Sequence, residues 1–238
     1  MAESICRIRI NGEEKQYPKG AYFQDIVAEY QGQYQDDIVL VLFNNRLREL
    51  SRRAKTDGEL SFVTTKDKAG RKAYRRSMSL LMQRAIYNLA KADGKHVSVR
   101  IEHSISQGYF CELKGEAPNE AYLLRLREEM VRLSEERIPI RKESISTDEA
   151  LALFHELGMR DKERLFAYRR SSKVNIYSIG NYIDYFYGYM AQNTGYVKYF
   201  DLVKYEHGFV LMLPTLSNPK KVPEFKTSQK LFGVLKES

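Results

Sequence analysis

Cysteine is almost missing from this 238-residue chain, and the two that occur, Cys6 and Cys111, stand far apart with no paired spacing. That excludes a disulfide framework and a cysteine-rich metal module. Both residues are expected to be small buried hydrophobes in a thiol-reducing compartment. Long apolar runs are missing too. No window reaches the roughly 18 apolar residues that a membrane-crossing helix needs, and the start, MAESICRIRI, carries no leader pattern. The expectation is a cytoplasmic protein without a membrane partner. Histidine is scarce: His96, His103, His155 and His207 form no pair at a metal-ligand spacing. His103 with Cys111 offers two ligands across a hairpin where three or four are needed, so no metal is expected.

What is present suffices for a large core. With 43% hydrophobic residues in 238, the chain exceeds the usual single-domain size, which predicts two domains. The formal charge of +8 is unevenly placed. Residues 1–65 hold nine Lys/Arg against ten Asp/Glu, whereas residues 66–91 hold Lys66, Lys68, Arg71, Lys72, Arg75, Arg76, Arg84 and Lys91 against Asp67. Such a run is either the solvated face of a helix or attracts a polyanion such as RNA or a nucleotide.

Pattern assigns the fold class α+β. In ICRIRIN apolar and charged side chains alternate with period two, Asn11-Gly12 signals a hairpin, and EKQYP is the returning strand. Phe23, Ile26, Val27 and Tyr30 recur at helical spacing, and DDIVLVLFNNRLREL reads as a buried strand, an Asn-Asn turn and a short strand. Asp57-Gly58 and LSFVT close a small unit, and Lys66 to Gly70 reads as a linker. A long helix follows with one broad apolar stripe: Tyr74, Met78, Leu81, Met82, Ala85, Ile86 and Leu89. Two strands come next, HVSVRIEH and GYFCEL. Then come a helix opened by Pro118, a strand over 139–145, a helix begun at Thr147, and a basic stretch from Arg160 to Arg170. The tyrosine-rich segments KVNIYSIG, NYIDYFYGYM, GYVKYFDLVKY and FVLMLP read as strands and short turns. SQKLFGVLKES reads as a short amphipathic piece.

Residues 1–65 in this arrangement resemble the TGS domain, a ubiquitin-like β-grasp unit of threonyl-tRNA synthetases. Residues 70–213 resemble the second additional domain that follows it there and hydrolyses mischarged tRNA. That domain carries a metal on a His-x-x-x-His pair and a Cys-x-x-x-His pair. RRSMSLL and YFYGYM occupy those motifs here, placing Arg76, Leu80, Phe186 and Met190 at the ligand positions, with Gly188 kept. An arginine keeps its proton, Leu and Phe have no lone pair, and a Met thioether is a poor zinc ligand.

A TGS unit followed by an editing-like domain with erased ligands resembles more closely the N-terminal half of bacterial nucleoside kinases of the uridine kinase type. The resemblance implies a non-catalytic accessory or regulatory module that binds nucleotide or RNA. It also makes residues 214–238 a linker toward a P-loop kinase domain in the same polypeptide, which would use ATP and Mg. The chain itself lacks G-x-x-x-x-G-K-[ST], so no phosphoryl-transfer site and no cofactor are expected within it. The alternative is an aminoacyl-tRNA deacylase or tRNA-binding protein related to threonyl-tRNA synthetase. Ligand-binding candidates are Arg76 with Lys72 and Arg75, then His103, Tyr182, Asp184 and Tyr185. Guanidinium groups beside aromatic faces hold phosphates and stack bases. The competing reading has the tyrosines packing a sheet and Arg76 in a structural ion pair.

Overall fold

Asn11 and Gly12 both take positive φ, at 52° and 85°, and turn β1 (Ile5–Ile10) into β2 (Glu13–Pro18) as an antiparallel hairpin. The computed structural model in which this is seen describes residues 4–168 and 171–226 and is mixed α+β. Helix α1 (Phe23–Tyr30) follows, then β3 (Ile38–Phe43), β4 (Arg46–Glu49) and β5 (Gly58–Thr64). The sheet order is β2-β1-β5-β3-β4, with β1 and β5 parallel and the other pairs antiparallel. Strand β3 shows why its sequence, IVLVLF, is apolar without interruption. A register shift between Ile38 and Leu40 splits it: Ile38, Val41 and Phe43 join the core around α1, while Val39 and Leu40 join the core on the other face.

That other face is covered by α2 (Lys68–Ala92), about 37 Å long at 1.5 Å per residue. The linker expected over 66–70 is a tight turn instead. Asp67 accepts the backbone N–H of Thr64 at 2.7 Å, and the helix begins at Lys68. The single apolar stripe is also exceeded, because every residue from Ser77 to Met82 is buried. A helix buried all round lies between layers, and α2 packs against β3 and β5 on one side and against α3 (Glu120–Glu135) on another. Tyr74 fixes its N-terminal half: its hydroxyl donates to Tyr199 O at 2.7 Å and accepts from Tyr199 N at 2.8 Å.

The remaining strands form two antiparallel sheets. One has the order β11-β12-β7-β6, from β6 (Ser98–Ile105), β7 (Gly108–Lys114), β11 (Asp201–Tyr205) and β12 (Gly208–Met212). The other is β10-β9-β8, from β8 (Ile140–Ser146), β9 (Lys173–Ile179) and β10 (Tyr182–Tyr185). Ser146 and Glu149 cap each other reciprocally to start α4 (Thr147–Glu156). The basic stretch after it contains a helix, α5 (Arg160–Ala167), that composition alone did not signal. Its one buried side chain, Phe166, docks on Phe154 of α4 at 5.4 Å between ring centroids. Residues 186–200 are loop and one short 3-10 turn rather than strand. Among the described residues no helix is long and apolar enough to cross a membrane. The amphipathic piece SQKLFGVLKES lies outside the described residues.

Candidate functional site

Spacings of four, three and four put Arg76, Leu80, Gln83 and Tyr87 on one face of α2. The segment from Tyr182 to Ala191 runs along that face in the opposite direction. Tyr182 Oη donates to Gln83 Oε1 at 3.2 Å, Arg76 Nη1 donates to Tyr189 O at 3.3 Å, and Ala191 N donates to Ser77 Oγ at 2.8 Å. The two motif segments therefore meet. Gly188 explains how closely: its φ is +124°, and a Cβ there would come within 2.4 Å of the Arg76 guanidinium carbon. Leu80 and Met190 are fully buried and Phe186 packs against the same core. A zinc ion does not fit this corner, because a guanidinium, two hydrocarbon side chains and a thioether offer no set of hard or borderline donors. Among the described residues no group of three or more His, Cys, Asp or Glu is placed to hold a metal ion.

Behind Arg76 the loop is tied to the first sheet. Tyr177 Oη, on β9, lies 2.7 Å from Gly188 O and 2.9 Å from Glu49 Oε1, at the end of β4. The phenol has one proton, which these two acceptors share. Desolvation raises the proton affinity of Glu49 above its ordinary value, against the pull of Tyr177, Lys142 and Arg52. Such a carboxyl contributes stability that is fully present below the ordinary carboxylate value and is lost as the pH rises through the elevated one. Glu49→Gln keeps an oxygen to accept from Tyr177 and has no charge to bury. Its melting temperature should exceed that of the unsubstituted protein by more at pH about 8 than at pH about 5. An equal difference at both values would mean that Glu49 is ionised throughout.

Further along the same face opens a cavity of about 460 Å³ between α2, the start of β6 and the turn from α4 into α5. Tyr87 and Tyr182 form one wall, with ring centroids 5.4 Å apart. Lys114, Arg160, Lys162 and Arg164 line it against a single carboxylate, Asp161. Burial pushes the Lys162 amine down to about 8, and the amine contacts the Asp184 carboxylate.

The sequence candidates divide among these places. Arg76 is at the motif corner, and Tyr182 lines the cavity. Asp184 is buried beneath it, with Lys162 and the Tyr185 backbone N–H, at 2.6 Å, as partners. The Tyr185 ring packs 5.1 Å from Phe166. Arg75 turns to β7, where Nε donates to Tyr109 Oη at 3.0 Å, and Lys72 is exposed. His103 is not brought to Arg76. It packs 5.5 Å from Phe110, whose apolar neighbours Val210 and Met212 cover the outer face of the four-stranded sheet. Cys111, one residue along β7, points the other way into the α2 core. Burial raises its thiol to about 12, which removes it both as a nucleophile and as a partner of His103.

Sequence reasoning missed Tyr87, Lys114, Arg160, Lys162 and Arg164. Counting three and seven residues on from Leu80 along α2 finds Gln83 and Tyr87. Nothing in the sequence places α5 opposite them.

No family model matches the chain. It is 28% identical to the threonine–tRNA ligase of Syntrophotalea carbinolica over 196 residues, which are 81% of this chain and 30% of that protein. The enzyme of the same name from Thermotoga maritima is 28% identical over 195 residues, 81% of this chain and 29% of that protein. That of Bacillus velezensis is 28% identical over 197 residues, 81% and 30%. The chain is therefore similar, through most of its own length, to a part amounting to about 30% of these threonine–tRNA ligases.

Proposed function

We propose that the chain is an accessory RNA-binding region related to that of threonyl-tRNA synthetases, which holds a nucleotide at an RNA end and does not carry out metal-dependent hydrolysis. The cavity on α2 is the observation that carries the reading. A tyrosine pair faces Lys114, Arg160 and Arg164, with Lys162 committed to Asp184, in about 460 Å³, a volume that suits one nucleotide. The aromatic wall takes a base on its π-face, which is sequence-tolerant. The cations take the adjoining phosphates, which makes affinity fall with salt. The motif corner explains why hydrolysis is absent from the reading. A hydrolase of the metal type activates water on an electrophile, and Arg76, Leu80, Phe186 and Met190 supply no ligands for one.

The experiment is a titration of tRNA, and of a short RNA hairpin with a single-stranded 3′ end, at several salt concentrations. Binding is expected to weaken with salt, and Tyr87→Ala should weaken it by about tenfold, in line with ~1–3 kcal/mol per stacked base. Absence of binding at low salt would discard the proposal, and turnover of an aminoacyl ester would replace it with the deacylase reading.

Complete erasure of the four donors favours a second reading, in which this region is the accessory module of an ATP-dependent nucleoside kinase and the same cavity takes a free nucleoside or nucleotide. Uridine and its monophosphate, titrated in place of RNA, separate the two. Saturation by the monophosphate without any affinity for RNA supports the kinase module.

A further inference from the structure

Arg76 is held in place with most of its donors unused. Gly188 lies flat against the guanidinium, and the bond from Nη1 to Tyr189 O is its only hydrogen bond among the described residues. No carboxylate among those residues pairs with it. A guanidinium anchored along one edge presents the other as a planar fork, the geometry that meets a phosphate or carboxylate with two bonds.

Two further cations reach the same corner from distant parts of the chain. Lys142 of β8 stands with Nζ 3.7 Å from Glu49 Oε1 and 5.5 Å from the centre of the Tyr177 ring. Arg52, in the turn after β4, is exposed, and it acts electrostatically on both Glu49 and Tyr177, as Arg76 does on Tyr177. The Tyr177–Glu49 pair thus has Lys142 beside it and Arg52 and Arg76 within electrostatic reach. Among the described residues Glu49 is the carboxyl set against them, and it is buried, where ionisation is disfavoured. The corner therefore carries an excess of positive charge that the described residues do not neutralise. Tyr187, 87% exposed, stands next to Gly188 at its lip.

We infer that Arg76, Lys142 and Arg52 form a binding site for a phosphate group, separate from the aromatic cavity about three helical turns along α2. Arg76 supplies the paired bonds, and Lys142 and Arg52 supply charge. Gly188 is required because a side chain there would displace the guanidinium. The site stands whatever the cavity holds. Its phosphate belongs either to a free nucleotide or diphosphate or to the backbone of an RNA, and the recognising chemistry is the same for both.

The test uses the full chain, with the arginine Nε–H resonances observed by NMR and the Arg76 signal identified by its loss in Arg76→Lys. Pyrophosphate and a single-stranded RNA hexamer are titrated separately at low salt. Saturable movement of the Arg76 signal is expected with at least one of them. The active one names the source, the diphosphate pointing to a free ligand and the hexamer alone to a backbone. Lys142→Gln and Gly188→Ala should each weaken the active probe by about tenfold, the scale of one charge-assisted hydrogen bond. Lys142 is half-buried rather than part of the core, so its variant reports even where a substitution at 76 or 188 disturbs folding. No saturable movement with either probe, or undiminished binding by Lys142→Gln, would overturn the site.

Discussion

Lys162→Ala should destabilise the protein by about 3 kcal/mol, the low end for breaking a buried ion pair, because the Asp184 carboxylate is buried while the Lys162 amine is partly exposed. Asp184 is 1% exposed, and Lys162 on α5 is its only cationic partner among the described residues. The backbone N–H of Tyr185 also donates to the carboxylate, but one such bond does not neutralise it. Without the amine, the carboxylate must be buried alone or take up a proton, and both are costly. Replacing the pair together, Lys162→Met with Asp184→Leu, should recover most of the loss, because no charge then remains to be desolvated. Urea denaturation of the two variants decides the point. A single variant within about 0.5 kcal/mol of the parent would show that Asp184 reaches water. The experiment also separates two roles for Asp184: a residue that only contacted ligand would change binding and leave the denaturation midpoint in place.

The second large effect is expected at the joint between β5 and α2. A Cβ on Gly70 would come 1.9 Å from the carbonyl oxygen of Thr64 and 3.0 Å from Val39. The nearer atom is backbone at the end of a strand, which cannot rotate away as a side chain does. Gly70→Ala should therefore cost about 3 kcal/mol, at the upper end of overpacking effects, despite the better helix propensity of alanine. Measured by denaturant unfolding, a loss under about 0.5 kcal/mol would mean that the first turn of α2 does not rest on the strand. Because the same turn carries α2 onto the face of β3, a displaced helix should also disturb the Arg76 corner, where Glu49 of the first sheet meets Tyr177.

Much of the fold was legible because it follows from short-range rules. Asn11-Gly12 turns a hairpin since both positions accept positive φ, and the alternation in ICRIRI puts Cys6, Ile8 and Ile10 on one face. α5 was not legible. RDKERLFA has only Leu165 and Phe166 as large apolar residues, and its position depends on one ring, Phe166, meeting Phe154 and Tyr185. The candidate site was half legible for a related reason. Helical spacing groups Arg76 with Leu80, and motif spacing groups Phe186 with Met190. The grouping of Arg76 with Lys72 and Arg75, by closeness in sequence, gave way to side-chain direction, since Arg75 points to Tyr109. His103 was placed by its position at a strand end, but strand parity turned it with Phe110 to the outer face.

The order of residues by itself determined which surfaces are apolar, where the chain turns, and that no ordinary metal donor stands at positions 76, 80, 186 and 190. These depend on side-chain chemistry and on backbone periods of two and about 3.6 residues, which act over a few neighbours. Tertiary structure alone decided what those surfaces meet: Glu49 with Tyr177, Arg76 with Gly188, Lys162 with Asp184, and Tyr87 with Tyr182. Each pair joins segments far apart in the chain. A periodicity names the face a residue lies on, and only the packing of whole elements names its partner.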